Sequence, residues 1–479
     1  MTGFRELELA EYQALSGVEL GRMVAAREVS PVHLAESALE LAARDDADLN
    51  AYVELRRDAA LAEASQLEAE ARDGRVRSAL HGVPIASKDN MPIIGEPCLK
   101  GSRTSAAKPS TYAAPMVERL QAAGAVIIGR TTTPEFGWKG TGISPLTGVT
   151  RNPWDTSRNS GGSSAGSGST VGAGAVPIAT GSDAGGSIRI PAAFCGAVGL
   201  KPTLSAIPVW PGTANESLSH AGPITRSVAD ARAVLEITAG PDPRDPQSFF
   251  ATPAARTLTG HLRIGVVRAP FGIAPSSEVS ERLEPTLSAL RGWTAQGTLV
   301  EDVDVATAVP REVFERLWVS GRGLTFAELI EDRGDAMDPG LTRLLPLARE
   351  YDVADYLEGL QLRRAFNAEM FTLLERYDAL IMPTMPLVAF GADQEVPAGG
   401  EADAKLPWIT WTPYTYPFNI TGQPAVTVPV DLGPGRLPVG LQVVGGWARD
   451  LLVLDVAERL ELLTAPTLER TVASVALRA

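Results

Sequence analysis

The sequence predicts an α/β fold built on one large mixed β-sheet covered by helices on both faces. Short β-branched runs alternate with helix-patterned segments from one end of the chain to the other. The stretch 261–303 reads strand, helix, strand, which is a βαβ signature. With 44% hydrophobic and 21% charged residues over 479 positions, the chain carries enough apolar side chains to bury a sizeable core.

Residues 1–75 are rich in Ala, Leu, Glu and Arg at helical spacing. Ser30-Pro31 sets an N-cap before a proline at the first helical position, followed by the apolar Val32, Leu34, Ala35, Ala38 and Leu39. A second helix is expected over 58–72. Gly82-Val83-Pro84-Ile85-Ala86-Ser87 is a short apolar strand whose end presents Lys88. A helix over 115–123 leads into the strand Ala125-Val126-Ile127-Ile128, closed by Gly129. Residues 131–187, dense in Thr, Ser, Gly and Pro, read mostly as loop. Trp138, Trp154 and the apolar runs 171–179 and 188–200 argue against a flexible linker there and for a buried site made of irregular backbone.

Downstream, strands are expected over 261–267 and 298–303 around a helix over 278–290. A long helix over 353–376, with Leu357, Leu360, Phe366, Met370 and Leu373, precedes a strand over 379–383. After a loop near 391–405 rich in Gly, Ala and acids, 425–430 and 439–444 read as two central strands, and a helix over 450–463 closes the pattern. No internal repeat and no clean boundary interrupts this order. The expectation is a single domain over 1–479: a helical segment 1–75, a core 76–215 that holds the chemistry, an elaboration 216–400, and 401–479 completing the core.

The balance of 43 Lys and Arg against 57 Asp and Glu gives a net charge of −14, which opposes broad contact with nucleic acid or anionic membrane. Glu6 and Glu8 stand where a secretory signal carries basic residues. The most apolar long region, 171–200, is broken by Pro177, Asp183 and Arg189, too often for a bilayer span. A cytoplasmic protein is expected. Cys98 and Cys195 are the two thiols of the chain, and Cys195, within Pro191-Ala192-Ala193-Phe194-Cys195-Gly196, reads as a buried reduced cysteine.

The chemistry concentrates in two glycine- and serine-rich clusters, Gly161-Gly162-Ser163-Ser164-Ala165-Gly166 and Gly181-Ser182-Asp183-Ala184-Gly185-Gly186-Ser187-Ile188-Arg189, with Lys88-Asp89-Asn90 upstream. A serine hydroxyl needs a neighbouring base, and glycines let backbone N–H groups crowd around a developing oxyanion. Together the segments read as a serine hydrolase whose base is lysine. Gly162-Ser163-Ser164-Ala165-Gly166 also satisfies G-x-S-x-G with Ser164 as nucleophile, but polar, turn-forming residues 154–160 precede it where that motif needs a strand. The four histidines, His33, His81, His220 and His261, supply a Ser-His-Asp device thinly and show no metal-ligand spacing. His81 and His220 lie nearest the motifs. Neither cluster fits a phosphate-binding or dinucleotide fingerprint. No cofactor is expected.

The combined pattern closely resembles the amidase signature family. Besides the clusters above, it rests on Pro145-Leu146-Thr147-Gly148, Asn152-Pro153-Trp154-Asp155, Gly199-Leu200-Lys201-Pro202-Thr203, Gly222-Pro223-Ile224-Thr225, Gly422-Gln423-Pro424-Ala425 and Leu437-Pro438-Val439-Gly440. The resemblance spans nearly the whole chain. It implies the family's α/β/α fold and a Ser-cisSer-Lys triad, with Ser187 as nucleophile, Ser163 as bridging serine after a cis Gly162-Ser163 bond, and Lys88 as base. It further implies oxyanion donors at the N–H groups of Ala184, Gly185, Gly186 and Ser187, an acyl-pocket loop at 137–143 beginning with Gly137, and a homodimer.

A lysine ammonium titrates near 10.4 in water, so a basic Lys88 has to be kept neutral by desolvation. Asp183 and Arg189, flanking the nucleophile, are read as structural support for the loop. Ser160, Ser164 and Ser182 are read as backbone hydrogen-bonding residues. Trp408, Trp411, Tyr414, Tyr416 and Phe418 are read as core before pocket, although an aromatic wall would suit an aryl amide, an anilide or a carbamate. The expected activity is cofactor-free hydrolysis of small amides or carbamates (urethanes). The alternatives are a glutamine-hydrolysing subunit of a tRNA-dependent amidotransferase, and a silent binding scaffold.

Overall fold

The computed structural model describes residues 4–250, 261–305, 307–433 and 435–464. Its strands are β1 (Tyr52–Leu55), β2 (Pro84–Lys88), β3 (Val126–Thr131), β4 (Ile143–Ser144), β5 (Gly148–Val149), β6 (Ile178–Asp183), β7 (Val198–Lys201), β8 (His220–Thr225), β9 (Arg263–Val266), β10 (Leu299–Asp302), β11 (Ala379–Pro383), β12 (Ala425–Pro429) and β13 (Gly440–Gly445). All but the small β4–β5 pair form one eleven-stranded sheet in the order β1-β3-β2-β6-β8-β7-β12-β13-β11-β9-β10. The sheet is mixed: β3, β2 and β6 run parallel, the run from β6 through β8, β7, β12 and β13 to β11 alternates direction, and β11, β9 and β10 are parallel again.

Both faces of this sheet are covered. Along β11, Ala379 and Ile381 enter one apolar core with residues of the helices Pro31–Leu49, Val228–Thr238 and Asp450–Thr464, whereas Leu380 and Met382 enter a second core with the helices Arg311–Thr325 and Val353–Arg376. Strand side chains alternate between faces, so adjacent apolar residues serve opposite layers, which is why the central strands read as continuous hydrophobic runs.

The helices begin and end where local chemistry dictates. Ser30 accepts from the N–H groups of Val32 and His33, with Pro31 opening the helix, and Asn50 closes it in the left-handed region at φ 50°. The expected helices near 58–72, 115–123, 278–290, 353–376 and 450–463 are all present, within a residue or so at each end. No helix among the described residues is long and apolar enough to cross a membrane.

One sequence expectation changes. The region 131–187 contains a buried helix, Ala165–Gly172, and the central strand β6. Serine and glycine are poor helix formers, but here burial overrides propensity. A Cβ on Gly166 would stand 2.0 Å from the Ala51 carbonyl oxygen and one on Gly168 2.7 Å from Pro191 Cβ, so only these small residues admit the close packing. The segment 216–400, expected as an elaboration of the single unit, adds strands to the same sheet. It supplies β8, paired between β6 and β7, and the strands β9, β10 and β11 that extend the sheet.

Candidate active site

Lys88 is the last residue of β2, between β3 and β6, and is fully buried. Its backbone N–H donates to Thr180 Oγ1 on β6 at 2.9 Å, fixing the strand end. Its Nζ lies 2.8 Å from Ser163 Oγ and 2.9 Å from Ser182 Oγ. Burial drives the ammonium well below the usual lysine value; Asp183 opposes this and the Arg322 cation reinforces it. The lysine is therefore held toward its neutral, proton-accepting form.

Ser163 follows a cis Gly162–Ser163 peptide just before the Ala165–Gly172 helix. Gly137, at φ 66°, lies against it: a Cβ there would stand 3.1 Å from Ser163 Oγ. Ser187 sits in the turn between β6 and the helix Arg189–Cys195. The two serine clusters are tied through backbone, the Ser164 N–H donating to the Ser187 carbonyl at 3.1 Å. Ser163 and Ser187 line one cavity of about 310 Å³ together with Gly137, Ser182 and Ala184. Ser187 Oγ makes no hydrogen bond among the described residues, so the expected contact with Ser163 Oγ is not formed.

The Ser187 turn is braced from within and from far along the chain. Asp183 and Arg189, both fully buried, join through Nε–Oδ2 and Nη2–Oδ1 contacts of 3.0 and 3.1 Å. Arg189 also donates to Asn419 Oδ1 and the Thr415 carbonyl, and Asn419 Nδ2 donates back to Asp183. Burial alone would raise the Asp183 carboxyl, but Arg189, Lys201 and Asn419 hold it below the usual carboxylate range.

One expected oxyanion donor is removed. The Gly186 N–H is already donated to Asp183 Oδ1 at 2.7 Å, because a carboxylate lodged inside the turn captures the nearest amide. The N–H groups of Ala184, Gly185 and Ser187 have no backbone partner among the described residues and remain available. Gly185 cannot carry a side chain: a Cβ would meet Trp408 at 2.6 Å and Phe314 at 2.9 Å. Gly186, at φ 128°, would meet Thr415 Oγ1 at 2.4 Å.

Trp408, Trp411, Tyr416 and Phe418 belong to the second core and Tyr414 is fully buried, so the aromatic run packs behind the turn and none of it lines the cavity. In the expected acyl-pocket loop, Gly137 reaches the cavity but Trp138 joins the core. Ser160 and Ser164 do bond backbone, whereas the Ser182 side chain faces Lys88 and Asn90. That contact was legible in strand alternation, since Ser182 is two residues from Thr180 on the same face of β6.

The histidines hold structure. His81 bonds the Leu67 carbonyl and the Arg77 N–H; His33 and His261 likewise meet backbone. His220 lines the cavity, but its ring contacts the Leu218 and Asp183 carbonyls and Lys201 Nζ, and burial, then the Lys201 charge, pushes its pKa well down. Cys195 is buried as expected and Cys98 half-buried; both are free thiols.

The pattern of the Amidase family matches residues 33–454. An acylamidase of Rhodococcus erythropolis is 34% identical over 93% of this chain and 95% of its own. A glutamyl-tRNA(Gln) amidotransferase subunit of Symbiobacterium thermophilum is likewise 34% identical, over 92% and 95%. Among solved structures, a bacterial aryl acylamidase superposes with a TM-score of 0.85 at 25% identity over 96% of this chain and 98% of that one. A 6-aminohexanoate cyclic dimer hydrolase complexed with substrate gives 0.84 at 27% identity over 94% and 97%. With the sequence pattern, the fold and the full-length relatives in agreement, this chain belongs to the amidase signature family and is an amide-hydrolysing enzyme.

Proposed function

We propose that this chain is a stand-alone hydrolase of small amides, anilides or carbamates that works through an acyl-enzyme on Ser187. The observation that carries the reading is the 2.8 Å contact of a fully buried Lys88 Nζ with Ser163 Oγ at the wall of the cavity that also holds Ser187. Neutral Lys88 takes the Ser163 proton, Ser163 takes that of Ser187, and Ser187 Oγ attacks the carbonyl carbon. The hand-off between the two serines closes with substrate in place, since catalytic hydrogen bonds tighten in the Michaelis complex. The amides of Ala184, Gly185 and Ser187 hold the oxyanion. The relay then returns the proton to the leaving nitrogen, the C–N bond breaks, and a water activated by the same relay hydrolyses the ester. Ser182 positions Lys88 from its second side.

A second reading has support in the relatives: a glutamine-hydrolysing component of an amidotransferase. The cavity, at about 310 Å³, sits at the small end of ligand sites and suits a small substrate in either case. Assay of the isolated chain on primary amides, anilides, peptide amides and carbamates decides between them. Turnover of anilides or carbamates without a partner supports the stand-alone hydrolase. Glutamine hydrolysis that appears only with partner proteins supports the alternative, and absence of covalent labelling at Ser187 by a fluorophosphonate overturns both.

A further inference from the structure

The cavity wall carries an unbalanced positive charge. Arg322, on the helix Arg311–Thr325, is 8% exposed and has no carboxylate partner among the described residues. Its Nε donates to Asn215 Oδ1 at 3.0 Å, its Nη1 to the Phe136 carbonyl at 2.7 Å, and its Cζ lies over the Trp318 ring, 4.9 Å from the centroid. Nη2 has no partner among the described residues. Lys100 lines the same wall and makes no ion pair there either, among the described residues. The one carboxylate among the described residues lining the cavity, Asp183, is taken by Arg189.

A buried cation without a counter-ion is costly, and Arg322, with the half-buried Lys100 on the same small cavity, calls for an anion from outside. Three sides of the guanidinium are fixed by Asn215, Phe136 and Trp318, so the fork is pre-organised, and a planar fork matches a carboxylate. Among polar lining residues such as Asn90, Thr213 and Thr325, the wall also carries an apolar set, Met91, Met116, Val209, Trp210 and Phe326. Resting on the hydrolase reading above, we propose that Arg322 is a specificity residue and that the preferred substrate is an amide or carbamate bearing a carboxylate on its acyl or its amine half, linked through an apolar spacer. Arg322 also contributes to depressing the Lys88 ammonium, so docking of the anion adjusts the base as well as the position of the scissile bond.

The test compares each acid with its methyl ester in two series, monoanilides of dicarboxylic acids for the acyl half and N-acyl aminobenzoates for the amine half. The expected result is a kcat/KM preference for the acid of about 10- to 100-fold in one series, as a charge-assisted hydrogen bond supplies, collapsing toward unity in Arg322→Met and falling between the two in Arg322→Lys. Equal or better turnover of the esters by the wild-type chain overturns the proposal, and so does an Arg322→Met chain that slows acid and ester alike and keeps their ratio, which marks a purely structural arginine. Calorimetric binding of the same pairs to the Ser187→Ala chain reads the site without turnover: selective binding of the acid supports anion recognition, equal binding contradicts it, and neither result depends on hydrolysis. Failure of hydrolysis and failure of anion recognition are thereby kept apart.

Discussion

Asp183 and Arg189 face each other across the turn that carries Ser187, with both side chains sealed from solvent and joined by two contacts of 3.0 and 3.1 Å. The same carboxylate takes the Gly186 and Ile188 N–H groups, so one ion pair sets the backbone on both sides of Ser187. Breaking a buried pair by removing one member leaves an uncompensated charge and typically costs about 3–5 kcal/mol. Arg189→Met is therefore expected to lower unfolding free energy by an amount in that range, read from the midpoint of urea denaturation at unchanged slope.

Gly185 has no room for a side chain, since a Cβ there would stand 2.6 Å from Trp408 and 2.9 Å from Phe314. Gly185→Val pushes the turn away from the aromatic core and with it the Ala184, Gly185 and Ser187 amides. The expected outcome is a fall in kcat on the order of 10²-fold or more, the loss that accompanies a missing oxyanion donor, with the circular dichroism spectrum retained.

Lys88 also makes a prediction about stability. Its pKa is lower in the folded chain than in the unfolded one, so between those two values the unfolded state binds more protons and stability rises with pH. Below the folded value the full penalty of burying an ammonium applies; above about 10.4 it vanishes. Lys88→Met is thus expected to raise Tm, most on the acid side of the folded pKa and less as the pH approaches that of free lysine, while turnover is lost. Calorimetric melts of both chains across about pH 6–10, a range reaching up to the free-lysine value, check the sign.

Ser182→Ala removes one of the two hydroxyls that lie 2.8 and 2.9 Å from Lys88 Nζ and leaves the Ser163 contact in place. Positioning of the base then weakens while the chemistry survives. The expectation is a drop in kcat of about tenfold, in proportion to one hydrogen bond, with little change in KM, measured on a neutral anilide.

Much of this was readable from the chain. The Ser30-Pro31 cap, the apolar strand ending at Lys88 and the β-branched strands near 126 and 426 follow from short-range patterning, and the elements lie where that patterning puts them. The resemblance to the amidase signature family singled out Lys88, Ser163 and Ser187, two of which are in direct contact and two on one cavity wall. What escaped depends on distant partners. The Ala165–Gly172 helix exists because Ala51 and Pro191 pack onto its glycines, Gly186 loses its amide to a carboxylate three residues away, and the turn is held by Thr415 and Asn419 more than two hundred positions downstream. Arg322 carries no local motif; its meaning comes from the lack of a counter-ion among the described residues around it, which only the packed cavity reveals.

The proposed relay depends on a buried neutral amine that activates one hydroxyl through another. The most direct measurement is the rate of covalent modification of Ser187 by a small fluorophosphonate as a function of pH, in the wild-type chain and in Lys88→Met. The wild-type rate is expected to rise through an acid limb to a plateau, and the variant to react slower by about 10²-fold or more at every pH below about 9, as loss of a general base entails. A Lys88→Met chain that labels at the wild-type rate with the same pH profile would contradict it.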